Sequence, residues 1–396
     1  MNVLYLSYDG MTDPLGQSQV LPYLKGLAKR HSITLISFEK KERSQNLDAV
    51  LQQVKESNIK WLPLEYHRKP PVFSTLKDVY TLWRKVLLLH KTNPFQLVHC
   101  RSYVTALVGL RLKRKFGVPF LFDMRGFWAD ERVEGGLWNL RNPLYRIIYN
   151  KFKAWEKEFI KHADAVITLT HAAQKEILSW NLNRNIHIIP CCVDEDLFNP
   201  DKIDLQSKQK LQASLGIEQS DFVLCYVGSL GTWYLMDEMM EFYSSLREKF
   251  ASSKFLILTS EAPDFSMLEW KKEIITRSVR REEMPLYLSL SNASVFFIKP
   301  SFSKKGSSAT KMAELMAMNV PFVTNDGWGD VREILSKGSG GLLVSQLNKV
   351  DYEEAIQTLT QRSLPPSRSL VTNYFSLSYG IQLYGQLYAS LEKKNF

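Results

Sequence analysis

The sequence predicts an α/β protein made of two tandem, Rossmann-like doubly wound domains that face a cleft. Short apolar runs rich in β-branched and aromatic residues alternate with amphipathic helical patterns, which is typical of a parallel sheet. A turn-rich, acidic stretch at 190–200 interrupts this alternation, and the pattern then begins again. With 396 residues, of which 45% are hydrophobic, the chain can bury more than one core. We therefore expect an N-terminal domain over 1–198 and a C-terminal domain over 199–375.

The elements of each domain follow from these patterns in chain order. In the N-terminal domain we predict strands near 2–7, 32–37, 59–64, 96–100, 119–123 and 164–169, with helical segments such as 18–29, 76–92 and 103–115. In the C-terminal domain we predict strands near 222–228, 254–259, 293–298, 320–324 and 341–344, and helices near 235–249, 282–291, 310–318 and 330–336. The segment 376–396 carries an apolar stripe at helical spacing, so we expect a final helix that packs across both domains.

The net charge of +10 comes entirely from the first half of the chain. Residues 1–200 contain 29 Lys and Arg against 19 Asp and Glu, whereas the two types are equal in number beyond residue 200. This excess favours an anionic partner for the N-terminal domain, and a solvated basic face is the alternative interpretation.

Several classes of protein are disfavoured by the sequence. No apolar run approaches the ~20 residues of a membrane-spanning helix, and the start of the chain is typical of a strand rather than of a secretory leader. The four cysteines show no metal-binding or redox spacing, so we expect reduced thiols in a cytoplasmic protein. The acidic triplet 194–196 stands without other ligands nearby in the sequence, and we predict no metal site there.

A phosphate-binding segment is predicted at 304–314, after the strand near 293–298. Small residues and lysines precede a helix there, and a helix N-terminus offers free N–H groups and a positive dipole to an anion. The candidate ligands of the phosphate are Lys304, Lys305, Gly306, Ser307, Ser308, Thr310 and Lys311. Glu314 follows among apolar neighbours, where a buried carboxylate must be paired or bound to a ligand. A pair with Lys311, or a structural core carboxylate, is the alternative.

Two further strand ends carry candidate site residues. The loop at 9–19 brings Gly16 close to a predicted helix, where a glycine lets the backbone approach a ligand, although an ordinary turn would explain it as well. Asp123 and Arg125 follow the strand at 119–123, and Asp130 and Arg132 come shortly after. Charged groups at a central strand end are typical of a site that holds hydroxyls or a leaving phosphate. Structural Asp–Arg pairs are the alternative.

In its order of motifs the chain resembles the GT-B-fold glycosyltransferases of glycosyltransferase family 4, in the branch that assembles bacterial polysaccharides. The resemblance covers nearly the whole chain and is carried by the loop at 9–19, Asp123-x-Arg125, 163–170, 188–194 with Phe198, 226–230, and 308–314 running into 319–321. It implies a retaining, metal-independent transfer of a sugar from a UDP- or GDP-linked donor, with no further cofactor. It also implies that the C-terminal domain holds the donor, while the N-terminal domain holds a glycan or polyprenyl-diphosphate-linked saccharide as acceptor.

The resemblance assigns roles to particular residues. Glu314 matches the glutamate that binds the ribose hydroxyls, Gly16 matches the loop that approaches the diphosphate, and Arg125 occupies the position of a histidine near the sugar in many relatives. The predicted catalytic residues are Arg125, Asp123 and Lys311. The predicted donor-binding residues are Gly16, Gly228, Ser229, Lys304, Lys305, Gly306, Ser307, Ser308, Thr310, Lys311 and Glu314.

Two departures from the family pattern leave other functions open. Gly306 stands where the family has the sugar-contacting first glutamate of its Glu-x7-Glu motif, and the segment 229–234 lacks the Arg and Lys that clamp the diphosphate. We expect Lys304, Lys305 or Lys311 to replace that clamp. The alternatives are a nucleotide-sugar epimerase or phosphorylase, and a non-catalytic subunit that presents a lipid-linked glycan. Nucleic-acid binding is not expected, because no recognition motif accompanies the basic charge.

Peripheral contact with a membrane is predicted for the helix at 76–92. A polyprenyl-linked acceptor places the protein at the inner face of the membrane, where Lys and Arg attract anionic lipid. The stripe of Tyr80, Trp83, Val86 and Leu87 would supply the apolar contact. A helix that buries this stripe against its own sheet is the alternative.

Overall fold

In the computed structural model, the residues described are 1–70, 72–338, 340–361 and 364–393. The chain forms two compact units. The first contains Met1–Pro190 and the chain from Leu377 onward, and the second contains Cys191–Ser376. The division after Pro190 falls within the turn-rich stretch, a few residues before the boundary expected at 198. The first unit is thus built from both ends of the chain.

The first unit is organised around a parallel sheet of seven strands. The strands are β1 Asn2–Ser7, β2 Ser32–Glu39, β3 Lys60–Glu65, β4 Leu97–Arg101, β5 Phe120–Asp123, β6 Ala165–Thr168 and β7 Ile186–Ile188. Their order is β3-β2-β1-β4-β5-β6-β7, and the register sets Tyr5 of β1 between Leu35 and His99. The order reverses at β1 and β4, which creates the switch point where open α/β sheets bind ligands.

Helices connect these strands in the manner of a doubly wound fold. They are α1 Pro14–Gln19, α2 Leu21–Leu27, α3 Leu47–Glu56, α4 Phe73–Thr92, α5 Ser102–Phe116, α6 Trp128–Glu134, α7 Pro143–His162 and α8 His171–Ser179. Helix α5 shows why such a segment begins and ends where it does. Cations in its last turn complement the negative end of the helix dipole, and Gly117 ends it with a left-handed φ of +72°.

The stripe predicted on α4 for a membrane contact is partly wrong. Trp83 is 5% exposed and Val86 is 0% exposed, so both belong to the core of the first unit and not to a surface stripe. The Trp83 ring also lies 4.5 Å from the guanidinium carbon of Arg111 in α5. Of the four residues proposed for the membrane contact, Tyr80 is 60% exposed and Leu87 is half-buried. The prediction was wrong for Trp83 and Val86 because α4 packs against its own unit through them.

The second unit repeats the architecture with six parallel strands. They are β8 Phe222–Val227, β9 Ser253–Leu258, β10 Ile274–Arg277, β11 Ala293–Phe296, β12 Phe322–Asn325 and β13 Gly341–Val344, in the order β10-β9-β8-β11-β12-β13. The helices are α9 Leu205–Ser214, α10 Met236–Lys249, α11 Met284–Leu288, α12 Thr310–Ala317, α13 Val331–Leu335, α14 Lys349–Gln361 and α15 Arg368–Leu370. Its switch point lies between β8 and β11, and its core is continuous from β8 to α14.

The last helix, α16 Leu377–Lys393, packs on α2 of the first unit. At Gly26 the two helices are so close that an added Cβ would lie 2.4 Å from the Cδ1 of Ile381. The predicted apolar stripe is real, since Tyr384, Leu387 and Tyr388 are all buried. Two of these side chains reach polar groups of the sheet, as described below.

Among the described residues, no helix combines the length and the hydropathy that crossing a bilayer demands. All four cysteines are buried free thiols.

Candidate functional site

The ammonium group of Lys311 lies in an aromatic cage beside the end of β8. Its Nζ is 3.6 Å from the centroid of the Tyr234 ring and 4.4 Å from that of the Tyr226 ring. The same nitrogen donates a hydrogen bond of 3.2 Å to the hydroxyl of Tyr226. Lys311 stands in the first turn of α12 and is 8% exposed. Because aromatic faces attract a cation, the cage holds the charged end of Lys311 at the switch point of the second sheet.

The environment of Lys311 makes its charge sensitive to a ligand. Burial lowers the pKa of Lys311 to about 7, while the Glu314 carboxylate acts in the opposite direction. Within the described part of the chain, Lys311 forms no ion pair. An anion that reached this nitrogen would favour its charged form, because an opposite charge at close range stabilises a cation that burial has penalised.

Gly228 is required by the position of Lys311. Its φ of +134° lies in a region that side chains rarely adopt, and an added Cβ would lie 2.7 Å from the Lys311 Nζ. Ser229 follows, and its carbonyl accepts a hydrogen bond of 2.5 Å from the Tyr226 hydroxyl. These contacts explain how the loop after β8, which contains no cation of its own, receives one from α12. The sequence predicted Gly228, Ser229 and Lys311 as neighbours in function, and the structure brings them together.

The lysines of the segment before α12 differ in position. Lys304 lies in a 3₁₀ turn and is 7% exposed, with its Nζ 3.8 Å from the centroid of the Trp233 ring. Its carbonyl accepts a 2.7 Å hydrogen bond from the N–H of Gly329. Lys305 is exposed, and its Nζ lies 5.0 Å from the Phe302 ring. Lys304 therefore faces the same loop as Lys311, through the residue adjacent to Tyr234, whereas Lys305 is exposed beside Phe302.

The small residues of this segment shape the entrance to α12. Gly306 is buried in the 3₁₀ turn, and the N–H of Ser307 donates to the carbonyl of Lys304 at 3.1 Å. The hydroxyl of Ser308 accepts a 3.1 Å hydrogen bond from the N–H of Cys191, so Ser308 anchors the segment that begins the second unit. Thr310 is the first residue of α12. The predicted group thus divides into one structural anchor, Ser308, and a set that lines the helix N-terminus.

Glu314 is held by an arginine. Its Oε1 accepts a 2.8 Å hydrogen bond from Nη1 of Arg281, and Glu314 is 7% exposed. Burial raises the pKa of Glu314, while Arg281 and then Lys311 act to lower it. The alternative of a direct Lys311–Glu314 ion pair is not realised among the described residues, because the carboxylate pairs with Arg281 instead. The prediction that this buried carboxylate must be paired or bound is confirmed.

Sequence reasoning missed Arg281. It lies in a 3₁₀ turn after β10, with its guanidinium carbon 5.1 Å from the Phe198 ring. Its Nη2 is buried and makes no hydrogen bond to any residue that the structure describes. The only sequence signal was the basic pair at 280–281, which gave no indication of a partner 33 residues away.

In the first unit, Asp123 is the centre of a buried polar network at the ends of β4 and β5. Its Oδ2 accepts a 3.0 Å hydrogen bond from the Tyr384 hydroxyl and lies 3.5 Å from Nε2 of His99. Two guanidinium groups approach the same carboxylate: Nη1 of Arg101 is 3.9 Å from Oδ2, and Nη1 of Arg125 is 3.7 Å from Oδ1. Asp123 is 0% exposed. Because Asp123 is fully buried, its role is to position the side chains around it.

The charges of this network are set by their proximity. Burial alone would raise the pKa of Asp123, but Arg125, His99 and Arg101 together lower it to about 2. Burial lowers the pKa of His99, so this side chain is neutral at neutral pH. Its Nδ1 lies 2.7 Å from the hydroxyl of Tyr388. Two tyrosines of α16 thus complete a site formed by the sheet.

Arg125 has an unusual backbone conformation. Its φ is +57°, and Gly126 follows with a φ of +119°. The left-handed region is costly for a residue with a side chain, and such strain is concentrated at functional sites. The side chain of Arg125 is only 10% exposed, so it is largely buried beside Asp123. The Asp123–Arg125 pair foreseen as the structural alternative does exist, at 3.7 Å.

The other foreseen pair, between Asp130 and Arg132, is replaced by different contacts. Asp130 accepts hydrogen bonds of 2.8 Å from both Tyr149 and Lys153. The guanidinium carbon of Arg132 lies 4.8 Å from the Trp128 ring. These contacts join α6 to α7 and lie within the scaffold.

Gly16 is required by the packing of its own loop. An added Cβ would lie 2.1 Å from the carbonyl oxygen of Gly10 and 2.7 Å from the Cα of Met11. Glu39, at the end of β2, fixes this loop by accepting from the N–H groups of Met11 and Thr12 at 2.8 and 3.0 Å. Sequence reasoning missed Glu39. The role of Gly16 at a diphosphate stays a prediction, and the ordinary structural reason for a glycine is sufficient here.

The acidic triplet is part of a turn. Asp194 accepts from the N–H groups of Asp196 and Leu197 at 3.1 and 3.2 Å. Among the residues described, no group of three or more His, Cys, Asp or Glu side chains is arranged to hold a metal ion.

Two protein-family models match the chain. A model described as Glycosyltransferase Family 4 matches residues 18–197, and a model described as Glycosyl transferases group 1 matches residues 221–362. No curated protein matches the chain. Among solved structures, a sucrose-phosphate synthase from Thermosynechococcus elongatus has a TM-score of 0.71 at 15% identity, covering 98% of each chain.

Two further structures are informative. HepE from Anabaena, in complex with UDP and glucose, has a TM-score of 0.70 at 14% identity, covering 98% of this chain and 100% of its own. A UDP-GlcNAc 2-epimerase from Neisseria meningitidis, bound to UDP-GlcNAc, has a TM-score of 0.63 at 11% identity, with coverage of 98% and 100%. At these identities the likeness establishes the two-unit fold.

Proposed function

Because the chain is a GT-B-fold glycosyltransferase resembling glycosyltransferase family 4, we propose that it transfers a sugar from a UDP- or GDP-linked donor. The acceptor is a glycan or a polyprenyl-diphosphate-linked saccharide in bacterial surface polysaccharide synthesis. The transfer retains the anomeric configuration and needs no metal ion. The observation that carries this proposal is the caged ammonium of Lys311 beside Gly228, because it supplies a cation where the loop after β8 has none.

The leaving diphosphate is stabilised by this cation. When the bond between the anomeric carbon and the diphosphate oxygen breaks, negative charge accumulates on the nucleoside diphosphate. The acceptor oxygen bonds to the anomeric carbon, and the proton of the acceptor hydroxyl passes to the leaving diphosphate. Lys311, Lys304 and the N–H groups at the start of α12 are fixed before the reaction, so they stabilise that charge without reorganising.

The nucleoside is positioned by Glu314. A ribose hydroxyl donates to a carboxylate oxygen, and the Oε1 of Glu314 is already held by Arg281. Arg281 acts to lower the pKa that burial raises, and so favours the carboxylate form that accepts from a ribose hydroxyl. In the first unit, Arg125 contacts the acceptor at the end of β5, and Asp123 supports its guanidinium.

The test compares two lysines that differ in position but not in chemistry. Lys311→Ala is expected to weaken UDP or GDP binding at least tenfold in isothermal titration and to reduce transfer accordingly. Lys210→Ala removes an exposed lysine of α9 in the same unit and serves as the matched control. Unchanged nucleotide affinity in Lys311→Ala would contradict the role of the cage. No binding of UDP, GDP or CMP to the wild-type protein would favour a non-catalytic, glycan-presenting subunit.

A nucleotide-sugar epimerase is the second candidate. It is favoured by the likeness of the whole chain to the Neisseria meningitidis enzyme and by Gly306, which replaces the sugar-contacting glutamate of the family pattern. Incubation with a UDP-sugar and no acceptor distinguishes the two functions. Release of an altered sugar would support the epimerase, and transfer only after an acceptor is added would support the transferase.

A further inference from the structure

We propose that the first unit contains a binding subsite for an oxyanion, a phosphate or carboxylate group carried by the sugar acceptor. The subsite consists of the guanidinium groups of Arg101 and Arg125 and the first turn of α5. That the group belongs to an acceptor rests on the proposed function, whereas the affinity for an oxyanion rests on the geometry alone.

Two cations approach the same buried carboxylate in this network. Two guanidinium groups, which remain charged at any physiological pH, approach one buried carboxylate. His99 is neutral, because burial lowers its pKa. Asp9, which is 43% exposed, lies 3.5 Å from the Nε of Arg101. The buried carboxylate of Asp123 is therefore shared between two cations.

The guanidinium group of Arg101 has a nitrogen without a hydrogen bond among the described residues. The side chain of Arg101 is 3% exposed, and its Nη1 makes no hydrogen bond to any described residue. The contact between this Nη1 and Asp123, at 3.9 Å, is too long for a hydrogen bond. A buried donor without an acceptor costs about 1–3 kcal/mol, so its persistence in a folded protein needs a reason. An oxyanion accepted by the site would provide that acceptor after a small rotation of the guanidinium.

The N-terminus of α5 lies at the same strand end as Arg101. This helix has 15 residues and begins immediately after Arg101, so the positive end of its dipole lies at the same strand end. No acidic residue occupies its first turn, and no side chain among those described caps it. The first N–H groups of a helix have no acceptor within it and bind anions readily. Arg101 and the start of α5 are thus adjacent at the end of β4, and Arg125 follows the neighbouring strand β5 at the switch point of the first sheet.

Asp9 supplies an internal control. It competes with a ligand for Arg101, since its Oδ2 is the acceptor of the Nε hydrogen bond. Because Asp9 is partly exposed, a ligand can displace it without leaving a buried charge unpaired. Asp9→Asn removes the competing charge, so it is expected to strengthen oxyanion binding several-fold.

The experiment titrates the full-length protein with glucose 1-phosphate, glucuronic acid and glucose, using calorimetry or thermal shift. Both anionic sugars are expected to bind and neutral glucose is not, and the relative affinity of the two distinguishes phosphate from carboxylate. Arg125→Gln is expected to weaken this binding at least tenfold. Arg114→Gln is the matched control, because Arg114 lies on the same α5 but pairs with exposed Glu158 at the far end.

Other outcomes would overturn the proposal. Equal affinity for glucose and its anionic forms would show that no oxyanion site exists. Loss of sugar-phosphate binding in Lys311→Ala but not in Arg125→Gln would place the anion in the second unit. If Arg101→Gln fails to fold, because Asp123 loses a partner, Arg125→Gln and Asp9→Asn still decide the question. Retained oxyanion binding in a protein that binds no nucleotide would refute the proposed function and leave the subsite intact.

Discussion

At the scale of single residues, the charge of Lys311 makes nucleotide binding depend on pH. Burial lowers its pKa to about 7 from an ordinary value of 10.5. A bound diphosphate favours the ammonium form, so binding above this pKa takes up a proton. Below pH 7, we expect Lys311 to cause little change in the dissociation constant of UDP. Above pH 7, its deprotonation should raise that constant by up to about tenfold per pH unit.

The measurement is a series of titrations between pH 6.5 and 9, with Lys311→Met as the comparison. This variant keeps an apolar chain in the cage and cannot titrate, so its weaker binding should lack the rise above pH 7. The unliganded wild type should also gain stability between pH 7 and 10.5, because the unfolded state binds more protons there. A rise in dissociation constant that is the same in both proteins would exclude Lys311 as its source.

Local sequence patterns identified some residues of the candidate sites but not their partners. Lys311, Glu314, Asp123 and Arg125 were identified from the sequence, because each follows a strand or begins a helix in a recognisable local context. Their partners were not. Arg281 and Tyr384 reach these groups from segments distant in the chain, and only the folded sheet brings them within hydrogen-bond distance.

At the scale of elements, α4 presents an apolar face that its sheet does not cover. Phe73, Leu76, Tyr80 and Leu88 are between 55% and 72% exposed and lie on one side of the helix. Lys77 and Arg84 are exposed on the same helix, and its only acidic residue, Asp78, is buried and bonded to Tyr8. Apolar side chains flanked by cations suit an anionic membrane surface.

We expect the protein to float with liposomes that contain anionic lipid, and less with neutral ones. The double variant Phe73→Ser, Leu76→Ser should reduce flotation several-fold without loss of stability, since both side chains are already exposed. Val350→Ser changes a residue of α14 that is 73% exposed, as Phe73 is 72% exposed, and is the matched control. Equal flotation of the double variant and the control would remove α4 from the membrane contact.

Elements with a strong pattern were predictable and marginal ones were not. The central strands of both sheets were identified because they are rich in apolar residues and are buried along nearly their whole length. The edge strands β7 and β10 were missed, since they have three and four residues and alternate with polar side chains. The stripe on α4 was assigned to the wrong side because helical spacing identifies a face but not what covers it.

At the scale of the whole molecule, the chain begins and ends in the same unit. The sequence predicted two doubly wound domains from the restart of the pattern, but the return of α16 to the first unit depends on packing that no local signal contains. Helix α16 contacts α2, and its Tyr384 donates to the buried carboxylate of Asp123. The second unit has its own continuous core.

Removing the chain beyond Ser376 should therefore affect the two units unequally. Without α16, Asp123 loses its tyrosine donor and α2 loses its apolar cover, so the amides of β4 and β5 should lose protection in hydrogen exchange. Those of β8 and β11 should keep theirs, and UDP should still stabilise them. The milder Tyr384→Phe variant removes one donor to a buried charge, with an expected cost of about 1–3 kcal/mol confined to the first unit. An equal loss of protection in both sheets would contradict this expectation and would mean that the stabilities of the two sheets are coupled.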